Sequence, residues 1–233
     1  MFNRENILWM IRRLTSYGFG LFLVAFAVSL SVKSMLGISP AMSVPYVCSL
    51  IGEMSMGAFT ILINCGFILL QIILKGRAFE KRYLLQVPVS IVFGFIVDFT
   101  NILVGYLPDA HNYAAQLVYL FFSLNTMGFG YVFYLTPNIV PLPSEGVMQA
   151  ISYRFKIKNS TAKLIWDPIC VALTITASLV FLGGIYGIRE GTIIAAFGNG
   201  LSLKLYLKIF GEKVHDRFLF APKGARQTTT VLS

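Results

Sequence analysis

The sequence predicts an all-α polytopic membrane protein with six transmembrane helices and two short re-entrant or interfacial helices, built as two inverted structural repeats. Three observations predict it. Of 233 residues, 56% are apolar and only 12% charged, about half the charge that a soluble domain carries. The charges are also clustered: from 14 to 74 the only ionised side chains are Lys33 and Glu53, and from 164 to 188 the only one is Asp167. Finally, one order of parts occurs twice along the chain.

The crossings fall at 15–36, 57–75, 84–106, 113–135, 161–182 and 190–209. Each supplies the ~20 residues that span a hydrocarbon core of about 30 Å. The leading MFNRENILWMIRR precedes an apolar run longer than a signal-peptide core, so it reads as leading into a retained first helix. Residues 40–52 and 143–155 are too short to cross. At ~1.5 Å per residue each spans about 20 Å, so each is re-entrant, interfacial or packed within the bundle. The expected divisions are an N-terminus over 1–14, a first repeat over 15–106 and a loop over 107–112. A second repeat covers 113–210, and a flexible basic tail covers 211–233.

Charge sets the expected orientation. Arg4, Arg12 and Arg13 precede the first crossing, and Lys75, Arg77, Lys81 and Arg82 separate the second from the third. Arg154, Lys156 and Lys158 precede the fifth, and six more basic residues lie from Lys204 onward. Six crossings place these 16 of the 19 basic residues on one side. By the positive-inside rule that side, with both termini, is cytoplasmic. The net charge of +9 is thus accounted for by topology, and with no basic helix face interleaved with aromatics, nucleic acid is not an expected partner. Cys48, Cys65 and Cys170 lie isolated in apolar segments, without metal-ligand spacing, and read as packed free thiols.

The repeated order is long helix, Pro-containing loop, short helix, long helix, link, long helix. An offset of 103 residues aligns Pro40 with Pro143, Val44 with Val147, Ser49 with Ser152 and Asn64 with Asp167. Three crossings per unit make the second unit upside down relative to the first. That plan, with broken segments meeting near mid-depth, recurs in secondary transporters. The expected function is alternating-access transport of a small anionic solute, coupled to protons. The alternatives are a non-transporting scaffold or assembly factor, and a substrate-binding membrane subunit of a larger transporter. The expected partners are the lipid bilayer, the solute, and a second copy or another membrane protein.

The candidate residues follow from what lipid forbids. Backbone breaks at Leu36–Pro40 and Leu135–Ser144 are tolerated where they line a cavity. Each precedes a short helix whose free amides and positive dipole end favour an anion. Ser39, Pro40, Pro143, Ser144 and Glu145 therefore form a candidate half-helix anion site, with Ser39 and Ser144 as expected caps and Glu145 favouring the dipole end. Asp167 has Lys163 one turn before it, so the two read either as an ion pair bracing the Pro168 kink or as a coupling or substrate contact. Asp98 has no cation in its helix; a lone buried carboxylate neutralises by taking up a proton. Asn64 matches Asp167 in the other repeat, as a neutral counterpart or as helix-packing glue. Lys33 reads as snorkelling from the end of the first helix.

No HExxH, GxSxG or P-loop occurs, and His111 and His215 both fall outside the crossings. The chain is not expected to be an enzyme; no catalytic residue, metal site or cofactor is assigned. The turn Leu36-Gly-Ile-Ser-Pro40, the stretch Phe93-Gly-Phe-Ile-Val-Asp98 and Gly187-Ile-Arg-Glu-Gly-Thr192 resemble the YczE/YitT-like bacterial integral membrane proteins over about 15–210. Arg189-Glu190 departs from a simpler glycine-rich approach to Gly-Thr. The resemblance implies a bacterial plasma membrane and supports the repeat, but implies no reaction.

Overall fold

The computed structural model describes residues 4–219, and side chains over residues 7–210. Eight α-helices carry the chain: α1 (Arg4–Ser34), α2 (Pro40–Ile51), α3 (Met56–Lys75), α4 (Gln86–Gly105), α5 (Tyr113–Leu135), α6 (Pro143–Phe155), α7 (Asn159–Leu182) and α8 (Glu190–Leu219). Two 3-10 segments, Gly76–Ala78 and Lys81–Leu85, form the basic link between α3 and α4. No strand occurs among the described residues. Within α1, α3, α4, α5, α7 and α8 there are six segments long and apolar enough to cross a bilayer. The chain is a multi-pass membrane protein.

Two ends differ from the sequence expectation. α1 begins at Arg4 rather than near residue 15, because arginine, glutamate and apolar residues all sustain a helix; what they cannot all do is enter lipid. α8 continues to Leu219, so the expected flexible tail is helical over 211–219. The rest of that tail, 220–233, lies outside the described residues.

Local chemistry sets most helix ends. Ser55 accepts a hydrogen bond from the Ala58 amide to start α3, and Asn112 does the same from Ala115 to start α5. Pro40 and Pro143 occupy the first turns of α2 and α6, where a missing N–H costs nothing. α6 stops at Lys156, in the left-handed conformation.

α1 is the most enclosed crossing, with 61% of its apolar window buried. It packs along α5, α4 and, less extensively, α8. Small residues bring α1 and α5 together: a Cβ on Gly20 would lie 2.4 Å from the Tyr134 nitrogen, and one on Gly130 would lie 2.8 Å from the Leu23 Cβ. Ser123 donates to the Ala27 carbonyl at 2.7 Å in the same seam. Tyr17, Val24, Val28, Phe93, Val97 and Met127 are among the residues of the core around it.

The short helices are packed against the long ones. Both pack between α3 and α7. α6 contributes Val147 and Ile151 to a second core with Phe67, Ala162, Trp166 and Cys170, and α2 adds Val44 to its margin. Outward-facing Ile73, Phe95, Phe181, Phe197 and Leu201 are each more than two-thirds exposed. That is what a bundle coated by lipid requires and a water-facing surface would not carry so densely.

Candidate functional site

The loop from Leu135 to Pro143 is tied down from three helices. Arg13 of α1 donates to the Pro137 carbonyl, and Tyr17 donates to the Val140 carbonyl at 2.8 Å. Gln71 of α3 donates to the Gln86 side-chain oxygen at 2.9 Å and to the Pro143 carbonyl at 3.1 Å. Gln86, the first residue of α4, donates to the Pro141 carbonyl at 3.0 Å. A segment with three prolines cannot hydrogen-bond itself into a helix. Its carbonyls therefore take donors from α1, α3 and α4, and the start of α6 is fixed against all three.

At that start lies a polar and aromatic cluster. The Tyr134 hydroxyl donates to Glu145 Oε2 at 2.7 Å and accepts from the Leu142 amide. Tyr134 is fully buried, whereas Glu145 and Tyr131 are half-buried. Tyr17 and Tyr131 flank Tyr134 with ring centroids 5.5 and 6.0 Å away. From α7, the Trp166 Nε1 donates to Ser144 Oγ at 3.2 Å, and Lys163 pairs with Asp167 at 2.6 Å. The Lys163 charge reaches the Glu145 carboxyl, and the Asp167 charge reaches Tyr131. Among the described residues Glu145 has no cation within ion-pair distance.

Of the sequence candidates, the structure thus brings Pro143, Ser144, Glu145, Lys163 and Asp167 into one neighbourhood. Ser39 lies elsewhere. With Ser31, Ser123 and Asn199 it lines a cavity of about 10 Å³, room for one water. Pro40 accepts from Ser43 Oγ at 2.7 Å, and Ser43 also pairs with Thr174 of α7 at 2.8 Å. Neither serine caps its helix. Ser39 is the N-cap residue of α2 but makes no side-chain cap bond. The N-cap of α6 is Leu142, and Ser144 lies inside the first turn with its oxygen committed to Trp166.

Asp98 lies apart, between α4 and the start of α3. It accepts from Ser55 Oγ at 2.6 Å and from the Gly57 amide at 2.8 Å, so it acts as the carboxylate at the positive end of α3. Asn64 is buried on α3. Lys33 does not snorkel freely; it pairs with Asp109 of the loop before α5. The three cysteines are free, as their spacing indicated. Tyr17, Tyr131, Tyr134, Trp166, Gln71 and Gln86 join the cluster without being sequence candidates. The one local signal was Tyr131 and Tyr134 three residues apart on one helix face.

Two of the three stretches behind the family resemblance also meet. Ile38 donates its amide to the Gly187 carbonyl at 3.1 Å, and Gly191 donates to the Leu36 carbonyl at 2.8 Å. Gly37 has φ +112°, and a Cβ there would lie 2.3 Å from the Thr192 hydroxyl oxygen. Glycine is required both by the backbone and by the approach of α8.

The fold and this cluster define a polytopic helical membrane protein with two half-length helices packed inside its bundle. Residues 11–208 match the family model described as a family of unknown function, DUF6198, and the chain belongs to that family. No curated protein and no solved structure matches the chain.

Proposed function

We propose that this chain is a secondary transporter that moves a small anionic solute by alternating access across a bacterial plasma membrane, with both termini cytoplasmic. The observation that carries the reading is the exchange of short helices between halves. α2 packs on α7 and α6 packs on α3, while α1 packs on α4 and α5 on α8. Ser43 meets Thr174, and a Cβ on Gly146 would lie 2.3 Å from Gln71 Oε1. Both members of the second contact lie 103 residues from their counterparts in the first. This is the pattern that two inverted repeats would produce. Lys163, Ser144 and the positive end of α6 supply the anion contacts.

The test uses proteoliposomes with an internal pH dye, challenged with acetate, lactate or inorganic phosphate. Solute-dependent proton movement is expected from the intact chain and is expected to fall at least tenfold in Lys163→Ala and Asp167→Asn, with melting retained. No flux with any probe, or equal flux in both variants, overturns the reading. A second reading, a non-transporting scaffold, is favoured by one observation: the enclosed cavity at the start of α2 holds only about 10 Å³. A stable stoichiometric membrane partner, with no flux, would establish that reading instead.

A further inference from the structure

Among the described residues three carboxylates lie within the bundle, and their surroundings differ. Asp98 uses both oxygens to accept from Ser55 and the Gly57 amide. Asp167 has Lys163 at 2.6 Å. Among the described residues Glu145 has no cation at contact distance; the Tyr134 hydroxyl donates to it, with the Leu142 amide and the Tyr131 hydroxyl as further donors beside it. We infer that Glu145 is the protonation site of this chain, and that Tyr134 ties its protonation to the start of α6.

The geometry points to a proton rather than to a larger cation. The carboxyl lies among Tyr17, Tyr131 and Tyr134, whose rings pack on one another. A proton needs no space beyond the carboxyl oxygen itself. The charged and titratable groups facing this carboxyl are the tyrosines of α1 and α5 and the Lys163–Asp167 pair of α7. From α3, neutral Gln71 faces the first turn of α6. With Lys163 and Asp167 offsetting each other, ionised Glu145 leaves the cluster with one net negative charge. Partial enclosure by rings favours the neutral acid, and the positive end of α6 favours the carboxylate. Neither form is held fast.

The consequence is mechanical as well as electrostatic. Tyr134 donates to Glu145 and accepts from the amide of Leu142, the N-cap of α6. Proton uptake from water makes Glu145 neutral and weakens it as the acceptor of the Tyr134 hydroxyl, which loosens the hydroxyl's hold on Leu142. It also removes the negative charge that repels an anion from this helix end. Proton and anion would then load together. The inference rests here on the transport reading, whereas the protonation itself does not.

The chain has two tryptophans, and Trp166 contacts Ser144, the residue before Glu145. In a Trp9→Phe background Trp166 is the sole tryptophan. The experiment titrates its emission in lipid nanodiscs over about pH 5 to 9, a window that brackets a carboxyl raised by enclosure. A single transition is expected, absent in Glu145→Gln and retained in Asp167→Asn and Asp98→Asn. Glu145→Asp, which keeps a carboxyl if the glutamine variant fails to fold, is expected to retain the transition at a shifted midpoint. Tyr134→Phe should also shift it. A transition that survives in Glu145→Gln, one lost from the parent or from Glu145→Asp, or one driven by sodium at fixed pH overturns the assignment. No solute is added. A Glu145 transition without flux in proteoliposomes therefore retires only the transport reading, and flux without the transition retires only this one.

Discussion

Gly57 of α3 lies against Gly94 of α4 so closely that a Cβ on Gly57 would be 2.1 Å from the Gly94 carbonyl oxygen and 2.5 Å from the Asp98 carboxyl carbon. Neither neighbour can swing aside cheaply, since one is backbone and the other is fixed by two hydrogen bonds. Gly57→Ala should therefore lower stability by about 1–3 kcal/mol, the usual range for overpacking. Gly66, on the same helix, has nothing within 4 Å of its Cβ position. Gly66→Ala should be neutral or stabilising by up to about 1 kcal/mol, because alanine is the better helix former. Thermal melting of the two variants in one detergent checks both. Equal losses would show that helix propensity, not the close crossing of α3 and α4, governs this helix.

Asp98 is a sequence candidate for carrying protons, and its partners give it a part in starting α3. Its oxygens satisfy an amide and a hydroxyl at the start of α3. Asp98→Ala should destabilise by about 0.5–2 kcal/mol, as for loss of a helix cap. Asp98→Asn should cost less, since its remaining carbonyl can still accept from Gly57. Flux measured at two external pH values should keep the same ratio in Asp98→Asn as in the parent. A collapsed ratio with unchanged melting would make Asp98 a coupling residue after all.

The crossings were legible because lipid imposes a coarse rule on sequence. The run from Met56 to Leu74 has no charge, and the link from Lys75 to Arg82 has five charged residues. The half-helices were legible too, since the breaks at Leu36–Pro40 and Leu135–Ser144 lead into runs too short to cross. The cluster at α6 was not. Gln71 and Gln86 meet across 15 residues of chain, and Tyr17 reaches Val140 across 123; no local spacing announces either. Tyr134 near a helix end reads as an interfacial anchor until packing on α1 buries it. Ser144 reads as a cap because serine before a helical run is the usual signal. Leu142 takes that position because Pro143 already begins the helix.

The last expectation concerns pH at the opposite end of the bundle, where Lys33 of α1 pairs with Asp109. The hydrogen bond from Lys33, and then its charge, hold the Asp109 carboxyl below the usual aspartate range. A carboxyl lowered in the folded state contributes stability that is complete above its unfolded value, near about 3.9. That contribution is lost only as pH falls through the lower folded value. The Asp109 side chain is largely exposed, so the pair adds little to overall stability, and melting is the wrong probe. Carboxyl-carbon NMR of aspartate-labelled protein is the better one. At about pH 4, where an ordinary aspartate is half protonated, the Asp109 signal should lie closer to its ionised position than that of an ordinary aspartate. Lys33→Met should return its midpoint to the ordinary range. If the midpoint is the same with and without Lys33, the tie between α1 and the loop before α5 does not form in the membrane.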